Sequence, residues 1–552
     1  MSNLPFIMVV IFLLLTLATG IYYSYNNKST TIREYAIGNK TFSTATLVAT
    51  LLATAYGGGA LVYVVEEIHS GGLYWVIIAF IGSFNIWVIS PLALRMGPFM
   101  KHLSMAETLG SVYGRYARII TALSGICASI ATIALQINVM SLVIGMCVDL
   151  INYRVITILA TLILILYSTF GGIRAVTLTD VFQFLTFSII IPLLTWFIFI
   201  NAGNPFPEVI SFLQTQEKFQ FSTVFRFDTN LVGMVALLLS YLLNFIKPTT
   251  IQRIYMSSGP IQAKKVFFYS GIACLFIDNL IILIGLFVFV WAPNLPMIGV
   301  WGYVMEHIPP IFQGFVTISL LAMAMSTPDS ALNSCSVIVS HDILESVKFL
   351  KVMFHPYQIR LVRITSIAIG IFAMVLAFYC RNLLDLLKLG LGFSIPIITA
   401  PFLLSVFGFR GTSRTALIGM ATGVLTILAW NKCVEPGTGI DGSFISMLAN
   451  GLAMMVAHYF LKQPESAGWV GTDDTLKQIQ QENARRKAER KERIKNFWTD
   501  KKNTLAKLQP NHYTLTFIGF YTVISNLLTY FIASISGHSY WLICQTLLGA
   551  FF

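Results

Sequence analysis

Ala53-Thr54-Ala55-Tyr56-Gly57-Gly58-Gly59 stands in the middle of an apolar run over residues 42–68. Each glycine disfavours helix by about 1 kcal/mol relative to alanine. The run therefore predicts a spanning helix that comes apart near its centre, with freed carbonyls turned toward a cavity or an ion. Close packing of small residues against a neighbouring helix accounts for the same glycines, and this stretch alone leaves the two readings level.

The rest of the chain says what solvent surrounds that run. Hydrophobic residues make up 56% of 552 and charged residues 11%, with a mean hydropathy of +0.75. Soluble domains carry about 25% charged residues, so this chain lacks the polar surface to face water. Runs such as 182–200, 266–291 and 364–380 are close to or beyond the roughly 20 apolar residues that cross a bilayer. Residues 1–23 have no basic leader and no small-residue cleavage site, and read as a first spanning helix rather than a signal peptide. The seven cysteines sit mostly singly in apolar runs without CxxC spacing, as small core residues do.

Hydropathy and turn punctuation place spans near 5–23, 42–68, 73–95, 119–147, 154–170, 180–201, 232–250, 266–291, 311–338, 364–380, 385–407, 415–430 and 443–461. The expectation is thus an all-α integral membrane protein with about thirteen spanning helices, followed by a further pair near 514–533 and 537–552. The domain organisation expected is a transmembrane domain over 1–461, a basic cytoplasmic helical linker over 462–512 and a C-terminal helix pair over 513–552. Loops holding Lys28, Arg33, Lys101, Arg115, Arg253, Lys264 and Arg360 alternate with loops poor in basic residues. Under the positive-inside rule this puts the N-terminus outside. The net charge of +12 follows from the same bias. The stretch 473–507 reads as a solvated helix against anionic headgroups, not as a nucleic-acid site.

Polar and helix-breaking residues inside spans locate function. Ser326 and Thr327 are adjacent hydroxyls with Met323 one turn earlier, and Pro328 has no N–H to give the Ala324 carbonyl. Hydroxyl and carbonyl oxygens suit a small hard cation, although such hydroxyls also bond back to their own helix. Gly171-Gly172 makes a turn before Asp180, which the pattern reads as the N-terminal cap of the next helix. Asp278 lies inside the eighth span, where an ionisable group is a candidate for solute or proton contact. No nucleophile–base pair or metal cluster stands out, so no enzyme activity is expected.

Four stretches carry a resemblance. STFGGIRAVTLTDVFQ at 168–183, MSTPDSALNSCSVIVSHDIL at 325–344, PTTIQRIYMSSGPIQAKK at 248–265 and LRMGPFMKHLSMAETLGSVYGRY at 94–116 together resemble the sodium:solute symporter family. That family includes the sodium/proline, sodium/pantothenate and sodium/galactose transporters. The resemblance implies five-helix inverted repeats of the leucine-transporter type, about 42–201 and 232–407, with the first helix of each broken near the midplane. It implies a sodium site of the Ala53, Tyr56 and Met323 carbonyls with the Ser326 and Thr327 hydroxyls, and Asp180 on the inward exit path of the cation. It implies solute contacts from Gly57, Gly58, Gln136, Ser240, Asn244 and Asp278. Relatives often carry a polar or acidic residue where Ala55 stands, and Ser or Ala at Gly57 and Gly58, so the solute contacts here differ from theirs.

The implied function is import of a small organic solute on a sodium gradient by alternating access, in a multi-pass cell membrane protein, with sodium as coupling ion and no other cofactor. The alternative is a symporter-like sensory input module, related to those that begin some bacterial sensor kinases, which binds solute with little transport and signals to a partner.

Overall fold

The computed structural model describes residues 4–471 except 27–30, 147–152, 204, 227–228, 244–245, 347–356, 466 and most of 381–393. Beyond 471 it describes Lys477, Gln481, Arg485, Ala488, Glu489, Lys491 and Glu492. The expected pair of helices over 513–552 and most of the basic linker lie outside the described residues.

The chain forms two compact units, Met1–Asp473 and Asp474–Phe552. In the second, the described residues are helical, and Arg485 pairs with Glu489 one turn on at 3.1 Å with both side chains exposed.

The first unit is nearly all helical. Its principal helices are α1 (Leu4–Asn26), α2 (Thr44–Ala55), α3 (Gly58–Gly71), α4 (Leu73–Gly82), α5 (Asn85–Arg95), α6 (Met105–Tyr113), α7 (Arg115–Gly145) and α8 (Tyr153–Asn201). They continue with α9 (Thr229–Leu243), α10 (Pro248–Met256), α11 (Pro260–Trp291), α12 (Pro310–Val337) and α13 (Gln358–Tyr379). The set closes with α14 (Ile395–Phe407), α15 (Ser413–Cys433) and α16 (Ser443–Phe460). A short antiparallel pair, Phe409 with Trp469, joins the end of α14 to the chain beyond α16.

Among the described residues, ten helices are long and apolar enough to cross a bilayer, or eleven when the bent α2–α3 pair counts as one span. The expected thirteen exceeds that number, and two elements bear on the difference. At 1.5 Å per residue α8 is roughly 70 Å long, more than twice a hydrocarbon core. It is kinked at Gly172, whose φ is +57°. A Cβ there would fall 2.8 Å from the Tyr35 ring, so glycine meets both the left-handed backbone and the close contact. The other is α14, apolar but shorter than a full span.

Burial runs opposite to hydropathy. α12 is polar for a spanning helix, yet every residue from Ser319 to Val337 is buried. The large apolar side chains instead line the perimeter, as at Leu15, Phe182, Phe276, Ile364 and Leu425. Lipid tails are as apolar as leucine, so apolar residues are spent on the outside and polar ones are paired within. α12 packs against α7 and α8, with α2 and α3 beside it, at the centre of the unit.

Candidate solute and cation site

Two helix breaks face the centre. α2 and α3 meet at a bend of 55°, with Tyr56 at φ −91°, ψ 84° and Gly57 at φ −71°, ψ 153°. Those angles are open to any residue, so the glycines are explained by proximity. A Cβ on Gly57 would lie 2.4 Å from the Gln136 amide of α7. One on Gly58 would lie 2.9 Å from both the Leu320 carbonyl and the Ala324 Cβ of α12. The second break separates α9 from α10. Ile246 is non-helical, Lys247 is extended at φ −129°, ψ 158°, and Pro248 opens α10. Proline forces its predecessor out of the helical region and suits the first helical position.

The end of α2 points its last carbonyls at α12. Such carbonyls have no helical partner and carry the negative end of the helix dipole. The Ser326 hydroxyl lies 2.7 Å from the Ala53 carbonyl and 3.1 Å from the Met323 carbonyl. The Thr327 hydroxyl donates to the Thr54 carbonyl at 3.2 Å. Ala53, Met323, Ser326 and Thr327 are thus brought together, with Thr54 as a member that sequence reading left out. Tyr56 follows on the same turn, and its phenol goes elsewhere, to Asp278 Oδ1 at 2.7 Å.

Behind these oxygens lies an ionic network. Arg253 Nη2 is 3.3 Å from Asp180 Oδ2, and both side chains are 0% exposed. The same nitrogen donates to the Ser330 hydroxyl at 2.6 Å and the Thr54 hydroxyl at 2.8 Å. Thr50 donates to Asp180. Asp329 accepts from the Tyr167 hydroxyl at 2.8 Å and from the Ser330 N–H at 2.5 Å. Two expectations change here. Arg253 does not lie in a solvated loop, because polar partners from α2, α8 and α12 enclose it. Asp180 does not cap a helix, because the helix resumes directly after Gly172 and Asp180 sits about two turns into it.

Beside the network opens a cavity of about 270 Å³, lined among others by Tyr56, Gly57, Gln136, Lys247, Asp278 and Thr327. Gly57 and Gln136 face it together, whereas Gly58 is not among its lining residues. Ser240 is absent from the lining as well. Its hydroxyl donates to Asp441 at 2.9 Å, and the next residue, Tyr241, takes the place on the wall. Asn244 lies outside the described residues. Lys247 and Arg253 are the functional candidates that sequence reading passed over. The signal for Lys247 was present, a lysine inside an apolar run directly before proline.

Known proteins resemble this chain. Residues 35–423 match the family model of the sodium:solute symporter family. A sodium/proline symporter 2 of Staphylococcus saprophyticus is 25% identical over 520 residues, 86% of this chain and 96% of that protein. The sodium/sialic acid symporter NanT of Aliivibrio fischeri is 23% identical over 401 residues, 68% of this chain and 77% of that protein. Among solved structures, a substrate-bound, outward-open sodium-coupled sialic acid symporter superimposes with a TM-score of 0.74 at 19% identity, covering 85% of this chain and 100% of its own. At that identity the likeness speaks for the fold, a leucine-transporter-type bundle around broken helices. The profile match spans most of the chain, the relatives extend over nearly all of their own length or three quarters of it, and the fold agrees: this multi-pass membrane protein belongs to the sodium:solute symporter family.

Proposed function

We propose that the protein imports a small organic solute together with sodium by alternating access, with the N-terminus outside as the distribution of basic residues favours. Sodium binds at the end of α2, where the Ala53, Tyr56 and Met323 carbonyls and the Ser326 and Thr327 hydroxyls supply oxygens. The solute occupies the neighbouring cavity at Tyr56, Gly57, Gln136 and Asp278. Sodium draws α2 and α12 together and holds the outward-facing state. Solute then completes the contacts across both breaks, and the helices rock inward. Asp180 serves the departing cation.

The observation that carries this reading is the pairing of Ser326 and Thr327 with the Ala53 and Thr54 carbonyls at 2.7 and 3.2 Å. Helix-end carbonyls and hydroxyls from two elements converge beside a cavity, so an ion there ties the break to α12. The test is uptake into proteoliposomes by the full chain, using labelled L-proline and labelled N-acetylneuraminic acid under an inward sodium gradient. Uptake that collapses when potassium replaces sodium is expected. Uptake indifferent to that replacement, with no sodium effect on melting, would overturn the reading.

A further inference from the structure

Tyr56 is the residue at which α2 stops, and its backbone and side chain are held by different helices. The backbone N–H still closes α2, donating to the Leu52 carbonyl at 3.0 Å, while φ −91° and ψ 84° take the chain out of the helix. The side chain crosses to α11. Its hydroxyl lies 2.7 Å from Asp278 Oδ1 and 3.3 Å from the Cys274 carbonyl, two acceptors one turn apart on that helix. A phenol has one proton to donate, and the shorter contact, to the carboxyl oxygen, takes it. The ring is buried, with Phe187 of α8 beside it at 6.1 Å between centroids. Asp278 stands within an apolar spanning helix, where a polar group is retained for what it meets.

What lies just before Tyr56 gives that hold a consequence. The Ala53 and Thr54 carbonyls, within one turn, face the Ser326 and Thr327 hydroxyls at 2.7 and 3.2 Å. Gly57, Gly58 and Gly59 follow without side chains, so the Tyr56 phenol is the last side-chain anchor on that end of α2. We infer that Asp278 is a positioning residue for the cation: it holds the Tyr56 hydroxyl, and through it the carbonyl-bearing end of α2, in the geometry that sodium binds. Carbonyls already ordered before an ion arrives bind it more tightly than carbonyls the ion must order. Asp278 also lines the cavity beside Tyr56, so one carboxyl borders the solute space and steadies the sodium position. It acts on sodium without touching it and without solute present, a role apart from solute contact. The inference rests on the symporter reading and goes beyond it.

The test reads sodium alone. The full chain in detergent, without solute, is titrated with sodium against choline at constant ionic strength, and the rise in melting temperature gives the sodium midpoint. Tyr56→Phe removes one oxygen and keeps the ring beside Phe187. Its midpoint should rise roughly tenfold, with melting in sodium-free buffer close to that of the unaltered protein. Asp278→Leu should match it. The two changes combined should be no worse than either alone, since both remove the same bond. Asp278→Asn keeps an acceptor oxygen for the hydroxyl and should hold the midpoint within about threefold of the unaltered protein. Tyr56→Phe and Asp278→Asn carry the test by themselves if Asp278→Leu does not fold. An unchanged midpoint in Tyr56→Phe confines Asp278 to solute contact. Additive losses, or a loss in Asp278→Asn as large as in Asp278→Leu, assign the effect to the charge of the carboxyl rather than to its hold on Tyr56. Each of these overturns the inference and leaves the symporter reading standing. An unaltered protein with neither a sodium effect on melting nor sodium-dependent uptake removes that reading instead, and this inference with it.

Discussion

On one side of the α2–α3 break the protein is filled, and on the other it is hollow. Toward α12 and α8, the Ala53 and Thr54 carbonyls are met by hydroxyls and backed by Arg253, Asp180 and Asp329, all buried. Toward α10 and α11 the same turn opens into the cavity with Lys247 and Asp278 on its walls. The filled side holds groups that must be paired for the unit to stand. The hollow side holds groups that border open space. A substitution should therefore act on stability on one side and on affinity on the other.

The comparison breaks most visibly at Arg253. Arg253→Met removes the guanidinium that pairs with the buried Asp180 carboxylate, and breaking a buried ion pair costs about 3–5 kcal/mol. Thermal unfolding in detergent should show a large loss of melting temperature. Wild-type melting would mean that the filled side tolerates unpaired charge, and the contrast would fail.

The glycines sharpen it. Gly58→Leu drives bulk into the Leu320 carbonyl and the Ala324 Cβ and should destabilise by about 1–3 kcal/mol through overpacking. Gly57→Leu meets the Gln136 amide at the cavity wall, so it should abolish solute binding with a smaller change in melting. Identical melting losses in the two variants would assign both glycines to packing.

Ser326→Ala and Thr327→Ala each remove one hydroxyl at the end of α2. Each should weaken sodium activation roughly ten- to a hundredfold, an effect on the order of 1–3 kcal/mol, with the fold kept. Sodium titration of uptake reads this directly, and unchanged activation curves in both would move the cation elsewhere.

The smallest effect is expected at Ser240. Its hydroxyl serves Asp441 rather than the cavity, so Ser240→Ala should alter stability by about 1 kcal/mol. Solute affinity should stay unchanged in a competition assay. A clear loss of affinity would place this helix turn in the solute site.

Much of the architecture was legible because the bilayer simplifies the code. Apolar length reveals spans, and Gly57-Gly58-Gly59, Pro328 and Gly171-Gly172 are costly inside a helix, so each marks a place where something other than helix stability was selected. Arg253 was illegible for a related reason. Its surroundings, Thr249 to Ser258, are polar enough to imitate a loop, and its partners are 73 and 77 residues away in the chain. Hydropathy has no term for a charge that is buried by what it meets. Asp180 was misplaced because a single left-handed residue at Gly172 turns the chain without needing a cap. Ser240 illustrates a limit of transfer by likeness: a helix can be matched while the residue facing the cavity is its neighbour, Tyr241.

Thr54 holds two offices at once. Its carbonyl accepts from Thr327 at the proposed cation position, and its hydroxyl accepts from Arg253 in the ionic network. The backbone of one residue therefore faces the proposed ion position, and its side chain is a brace for the bundle. The carbonyl and the guanidinium are linked through a single β-branched side chain, stiff at χ1, that meets Arg253 directly at 2.8 Å. A cation held at the proposed position would therefore bear on the core through a pivot one residue wide.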